Sequence, residues 1–268
     1  MSESIFQEIG ASAKYLDVDF DEQEMAQFAN DQELSEDQLQ AVFQVFHHLQ
    51  ELKEERIVST LLNSSRLPLS NPKTFENFDF ALFHGKQKEV LKNLPNLAAL
   101  YAHKNLAFIG PQGVGKTHLA MAYGRACCQK GMKSYFLKAT ELKQKFLDAR
   151  KYGREDSCIN GLVRPSCLII DEVGRCVFDK ECTRMFFDVI DRRYNKEGPN
   201  TMIFTSNTGP DKWSEFFGED SSLLCSLDRI FDVATVFYIK GNSYRGKGCE
   251  TIALSAGDPL TVTKSTNK

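Results

Sequence analysis

"NLAFIGPQGVGKTHLA", residues 105–120, decides the fold. An apolar run of strand character leads into a glycine-rich turn, and a helical pattern follows. Gly110, Gly115, Lys116 and Thr117 satisfy G-x-x-x-x-G-K-[ST] in the strand–turn–helix context that the motif requires. Glycines let the backbone turn so that successive N–H groups face phosphate oxygens, and the start of the following helix adds the positive end of its dipole. Gly110, Pro111, Gln112, Gly113, Val114, Gly115, Lys116, Thr117 and His118 are the candidate nucleotide-binding residues. Lys116 is placed to reach the β and γ phosphates and Thr117 to ligate Mg²⁺, which implies ATP or a related triphosphate with Mg²⁺.

"CLIIDEVG", residues 167–174, supplies a second half-site. An apolar strand ending in Asp171 and Glu172 offers one carboxylate to the metal beside Thr117 and a second that can polarise an attacking water. An exposed acidic strand end is the bland alternative. A carboxylate directly after the metal aspartate suits hydrolysis, whereas a small-molecule kinase needs a group aimed at an acceptor hydroxyl.

Outward from these motifs, short β-branched or aromatic runs alternate with helical ones, the pattern of a parallel sheet covered on both faces. Strands are expected at 105–109, 134–138, 167–170, 201–205 and 234–239, with helices near 117–130, 140–152 and 179–195. "TMIFTSN" ends the fourth strand in Asn207, which can hydrogen-bond the attacking water if that strand lies between the two nucleotide-bearing ones. Asn is also common in turns for unrelated reasons. Arg229 in "SLDRIF" and Arg245 in "GNSYRG" can stabilise charge on phosphates, but a lone Arg is usually a solvated surface charge.

The formal net charge of −3 hides an asymmetry. Residues 1–60 carry 14 Asp or Glu against Lys14, Lys53 and Arg56, a balance of −11, which leaves +8 for the rest. Different partners are expected for the two parts. Residues 1–34 read as short helices or partial disorder. Ser35 and Gln38 then form a capping box ahead of an amphipathic helix with Leu39, Val42, Phe43, Phe46, Leu49 and Leu52 on one stripe. That stripe is expected to pack on the ATPase core or to meet another protein. The linker "NSSRLPLSNPK" ends a helical N-terminal domain, residues 1–70, before a core at 71–248 and a flexible tail at 249–268.

The core holds a basic stretch in which Lys143, Lys145, Arg150, Lys151 and Arg154 interleave with Phe146 and Tyr152. Such a helix can track a phosphate backbone, although a Lys-rich face is most often merely solvated. The eight cysteines show no metal or disulfide spacing, and those at 127, 128, 167 and 182 read as small hydrophobes. With no signal-like start and no apolar run of membrane-spanning length, the expected location is the cytoplasm.

Taken in order, "GPQGVGKTHLA", "LIIDEVG", "FTSN", "WSEFFGED", "LDRI" and "IKGNSYR" resemble the IstB-like ATP-binding proteins of insertion sequences, relatives of DnaC-type helicase loaders in the AAA+ superfamily. "KTFENFDF" resembles the family's segment just ahead of the ATPase core, and the resemblance covers about residues 73–245. It implies a three-layer P-loop AAA+ core with a central five-stranded parallel sheet and no C-terminal lid. By position it makes Lys116, Asp171 and Glu172 catalytic, Asn207 a sensor, Arg229 a finger acting on a neighbouring subunit and Arg245 a second sensor. It further implies ATP-dependent self-association on double-stranded target DNA and delivery of that DNA to an IstA-like partner transposase. A DnaC/DnaI-like helicase loader is the alternative. The tail is less basic than the arginine-rich ends of the family.

Overall fold

The computed structural model describes residues 2–80, 83, 85–217, 227 and 229–241. Arg245, the tail and the question of a lid lie outside the described residues.

Three helices come first, α1 (Ser2–Tyr15), α2 (Glu22–Asp31) and α3 (Glu36–Ser64). Short helices α4 (Gly85–Lys92) and α5 (Ala98–Tyr101) precede β1 (Asn105–Ile109) and α6 (Lys116–Gln129). Then follow β2 (Ser134–Lys138), α7 (Ala139–Lys151), α8 (Glu155–Val163), β3 (Cys167–Val173), α9 (Lys180–Tyr194), β4 (Thr201–Ser206) and β5 (Ala234–Tyr238).

The five strands form one parallel sheet in the order β2-β3-β4-β1-β5. Strand β4 therefore lies between β1 and β3, the condition on which a role for Asn207 depended. Side chains of a strand alternate between faces, and both faces here are covered. Ala107 and Ile109 join Leu168, Ile170 and Phe204 under α7, α8 and α9, while Leu106 and Phe108 join Ile169 and Ile203 under α6 and the segment leading into the core. That is the expected three-layer arrangement.

The acidic N-terminal residues fold into helices, and their order comes from α3. Ser35 closes its capping box with Gln38 as expected. The stripe residues Leu39, Val42, Phe43 and Phe46 pack with Ile9, Met25 and Ala29 of α1 and α2, and so build a small separate core instead of lying on the ATPase sheet. Farther along α3, Leu49 is exposed. The linker after α3 is tied to the core, with the Phe136 amide donating to the Ser65 carbonyl at 2.9 Å and Arg66 paired with Glu141 at 2.7 Å.

One buried cation organises the end of the sheet remote from the phosphate loop. The Arg193 guanidinium donates to the carbonyls of Leu162, Val163, Pro165, Ser166 and Thr201, at 2.7–3.3 Å. Burial holds it below the ordinary arginine range, to about 10. It is a structural clamp for the chain between α8 and β3. Arg193→Met strands those carbonyls and is expected to lower unfolding free energy by about 3 kcal/mol, read as a shift of the urea midpoint.

Candidate nucleotide site

The phosphate loop leaves β1 at the C-terminal edge of the sheet, where parallel α/β folds place ligands. A Cβ at Gly110 would sit 2.1 Å from the Ile239 carbonyl oxygen, so only glycine lets the loop leave the sheet beside the chain following β5. Gly115 has φ +95°, and a Cβ there would meet the Phe78 ring at 2.7 Å. The "KTFENFDF" segment thus lies against the loop. His118 fixes it further, its Nε2 bonded to the Thr74 carbonyl at 2.8 Å and its ring edge-on to Phe78.

Burial is the largest cause holding the His118 imidazole below the ordinary histidine range. The unfolded chain therefore takes up the proton first. Stability contributed by the neutral ring is complete above pH 6.5 and drains as pH falls below it. Between pH 7 and pH 5 the thermal midpoint of the wild type is expected to fall further than that of His118→Gln, measured by circular dichroism; parallel curves would contradict the assignment.

Lys116 is buried at the start of α6. Its ammonium donates to the Gly110 carbonyl at 2.8 Å, the Pro111 carbonyl at 2.7 Å and Asn207 Oδ1 at 2.9 Å. Lys116 and Asn207 are thereby brought together from the start of α6 and the end of β4. The two residues expected at the metal also meet, because Thr117 Oγ1 donates to Asp171 Oδ1 at 2.7 Å. Asp171 is 2% exposed and accepts a second hydroxyl, Thr205 Oγ1, at 2.6 Å. Among the described residues no group of three or more His, Cys, Asp and Glu forms a metal cage. One carboxylate and one hydroxyl fit instead a Mg²⁺ whose remaining ligands are phosphate oxygens and water.

Strand β3 runs to Val173, beyond the expected end at 170, and carries both acids within it. Lys138 pairs with Asp171, and the register then shifts between Ile170 and Val173. At this irregularity Glu172 adopts φ +60°, a left-handed conformation uncommon for non-glycine residues and unusual within a strand. Its amide donates to Thr205 Oγ1 at 3.0 Å. Its carboxylate faces a cleft of about 370 Å³ shared with Lys116, Thr117 and Asn207. Lys73, Arg175, Thr205 and Ser206 also line that cleft, and sequence reasoning missed them. Thr205 and Ser206 stand inside the quoted "FTSN" and Lys73 opens "KTFENFDF", so position within the motifs was the available signal.

Arg229 lies elsewhere. It pairs with Asp191 of α9, and the next carbonyl, that of Ile230, accepts from the Asn105 side chain at 2.9 Å. Asn105 opens β1 and the phosphate loop follows its end, about 13 Å away at 3.3 Å per residue. Arg229 and the loop therefore sit at opposite ends of the sheet.

The basic stretch divides. Phe146 is fully buried and cannot stack on a base. Lys143 donates to the Val177 carbonyl, Lys145 lies by the Tyr135 ring, and Arg150 pairs with Asp179. At the end of α7, Lys151, Tyr152 and Arg154 are exposed, with the Lys151 ammonium over the Tyr152 ring.

Strand order, phosphate loop, buried Lys116, acidic pair and intervening asparagine define an ATP-binding protein of the P-loop AAA+ type. The chain belongs to the IstB-like ATP binding protein family, whose profile matches residues 18–251. The insertion sequence IS5376 putative ATP-binding protein of Geobacillus stearothermophilus is 34% identical over 193 residues, 72% of this chain and 75% of that protein. The corresponding IS21 protein of Pseudomonas aeruginosa is 34% identical over 195 residues, 73% and 72% of the two chains. Among solved structures, AMPPCP-bound DnaA from Aquifex aeolicus matches with a TM-score of 0.52 at 24% identity, over 65% of this chain and 52% of that one, a likeness of fold. No helix among the described residues is long and apolar enough to cross a membrane.

Proposed function

We propose that this protein is an ATP-hydrolysing regulator of transposition that assembles on double-stranded target DNA in the cytoplasm and recruits a partner transposase of the IstA type. The observation that supports the reading is the separation within one chain of the phosphate loop and its neighbouring carboxylates from Arg229. Placed at the far end of the sheet, Arg229 serves the triphosphate of an adjoining copy, so ATP joins subunits.

In the hydrolytic step Glu172 takes a proton from water as the water oxygen bonds to the γ-phosphorus. The bond from that phosphorus to the bridging oxygen breaks, and ADP and phosphate leave. Lys116 neutralises charge on the phosphates, Asn207 orients the water, and Arg229 of the neighbour stabilises the charge that develops. Mg²⁺ held by Thr117 and Asp171 would add positive charge at the phosphates when bound. Loss of the γ-phosphate removes the partner's anchor and loosens the assembly.

Lys151, Tyr152 and Arg154, with Lys143, Lys145 and Arg150 behind them, are the proposed DNA contacts; each neutralised phosphate steepens the salt dependence by about 0.9 in log units. The acidic N-terminal helices are repelled from DNA and suit a protein partner. Sedimentation with duplex DNA tests the reading: large assemblies are expected with a non-hydrolysable ATP analogue and not with ADP. A protein that remains monomeric under both conditions refutes it. Capture of a replicative helicase in place of the transposase would favour the loader alternative.

A further inference from the structure

The last turns of α3 carry apolar side chains that no core takes up. Val58 and Leu62, one turn apart, join Leu69 of the linker in a groove of about 650 Å³ that Gln129 closes at the end of α6. Leu69 is 54% exposed, and among the described residues none of the three belongs to a hydrophobic cluster. Glu51, Glu54 and Glu55 form the rim in the two turns before Val58. Among the described residues no Lys or Arg lines the groove, and Lys53, on the same turns, reaches Asp17 at 2.6 Å instead. Glu51 has His47 and His48 at 3.6 and 3.7 Å, and Glu54 accepts from Gln50 Nε2 at 3.1 Å. Like charges at i,i+3 and i,i+4 repel, so the rim is an unbalanced negative array beside open apolar surface.

We propose that this groove docks a cationic amphipathic helix of the partner protein, with the apolar stripe of that helix on Val58, Leu62 and Leu69 and its Lys or Arg side chains against the three glutamates. This rests on reading the acidic N-terminal helices as the part of the chain that meets a protein partner. The groove runs along α3 and presents side chains, with no strand edge to pair an extended segment, so it suits a helix that satisfies its own backbone groups. From Glu51 to Leu62 it spans about 16 Å, three helical turns. The chain does not supply the occupant itself. Its basic helix α7 has Leu142 and Phe146 already buried in the core, and residues 249–268 set Lys264 and Lys268 against Glu250 and Asp258, which leaves no excess of positive charge. Nucleic acid is repelled by the same carboxylates.

The test measures, on the full chain, binding of a fluorescent leucine/lysine peptide with its leucines at i, i+3, i+4 and i+7, and of a scrambled peptide of the same composition. Wild type is expected to bind the patterned peptide about tenfold more tightly. Glu51→Gln/Glu54→Gln/Glu55→Gln is expected to weaken that binding about tenfold, as three exposed ion pairs do together, and Leu69→Ser about fivefold. Glu8→Gln/Asp31→Asn/Glu33→Gln removes as much charge elsewhere in the N-terminal region and is expected to stay within about twofold of wild type. All of these positions are exposed, and circular dichroism checks that the fold is kept. Equal loss in the two triple variants makes the attraction diffuse and overturns the site. A patterned peptide bound no more tightly than the scrambled one overturns the helical occupant. Loss of ATP-dependent assembly on DNA in the groove variant assigns the groove to a second copy and overturns the proposal. A groove variant that loses the peptide yet recruits the transposase as wild type does overturns the groove as the partner's site and leaves recruitment standing. Wild type that meets the peptide expectations but recruits no transposase removes the recruitment reading and leaves the groove.

Discussion

Glu172→Gln is expected to leave ATP binding within about twofold of wild type and to cut DNA-stimulated phosphate release by about a thousandfold. The substitution keeps the shape of the side chain and removes its negative charge, and with it both the capacity to take a proton and the pairing with Lys138 and Arg175. The side chains expected to meet the triphosphate and its metal, Lys116, Thr117 and Asp171, are fixed by hydrogen bonds in which the Glu172 side chain has no part. Binding and hydrolysis should therefore separate. On the proposed coupling of assembly release to loss of the γ-phosphate, complexes of the variant on DNA should outlast those of the wild type. Single-turnover quench experiments and dissociation from immobilised duplex measure the two effects. Equal turnover would mean that another group activates the water.

Arg229→Ala should retain nucleotide binding, lose ATP-dependent assembly and hydrolyse ATP about a thousandfold more slowly, the range typical of removing an arginine finger. The pair with Asp191 is exposed, so its loss costs the fold no more than about 1 kcal/mol. A stable protein that binds ATP but stays monomeric on DNA is the expected phenotype. Titration of the fluorescent nucleotide, thermal melting and sedimentation together separate this outcome from misfolding.

The nucleotide half of the site was legible because its parts are contiguous: one loop, one strand end and one asparagine, each bounded by apolar runs. Strand β3 was drawn short because Asp171 and Glu172 end its hydrophobic run, although backbone pairing carries on through the irregularity to Val173. Helix α8 was missed because its buried face consists of little more than Ile159 and Leu162, too sparse a stripe for periodicity to detect. Helices α1 and α2 looked weak for a related reason, since Ile9, Met25 and Ala29 acquire a core only once Leu39 and its neighbours on α3 complete it. Pairings such as Arg150 with Asp179, or Lys138 and Arg175 with Glu172, depend on strand register and helix placement, which no local pattern encodes. For the same reason, Phe146 could be read as a stacking aromatic until the sheet covered it.

The decisive experiment mixes two inactive proteins. Lys116→Ala retains Arg229 but lacks the lysine proposed to meet the phosphates; Arg229→Ala retains the phosphate loop but lacks the proposed finger. If one copy cradles ATP and the adjoining copy completes the reaction, neither alone hydrolyses ATP on duplex DNA and an equimolar mixture recovers a substantial share of wild-type phosphate release. A mixture as inert as its components, or Arg229→Ala fully active by itself, would contradict it.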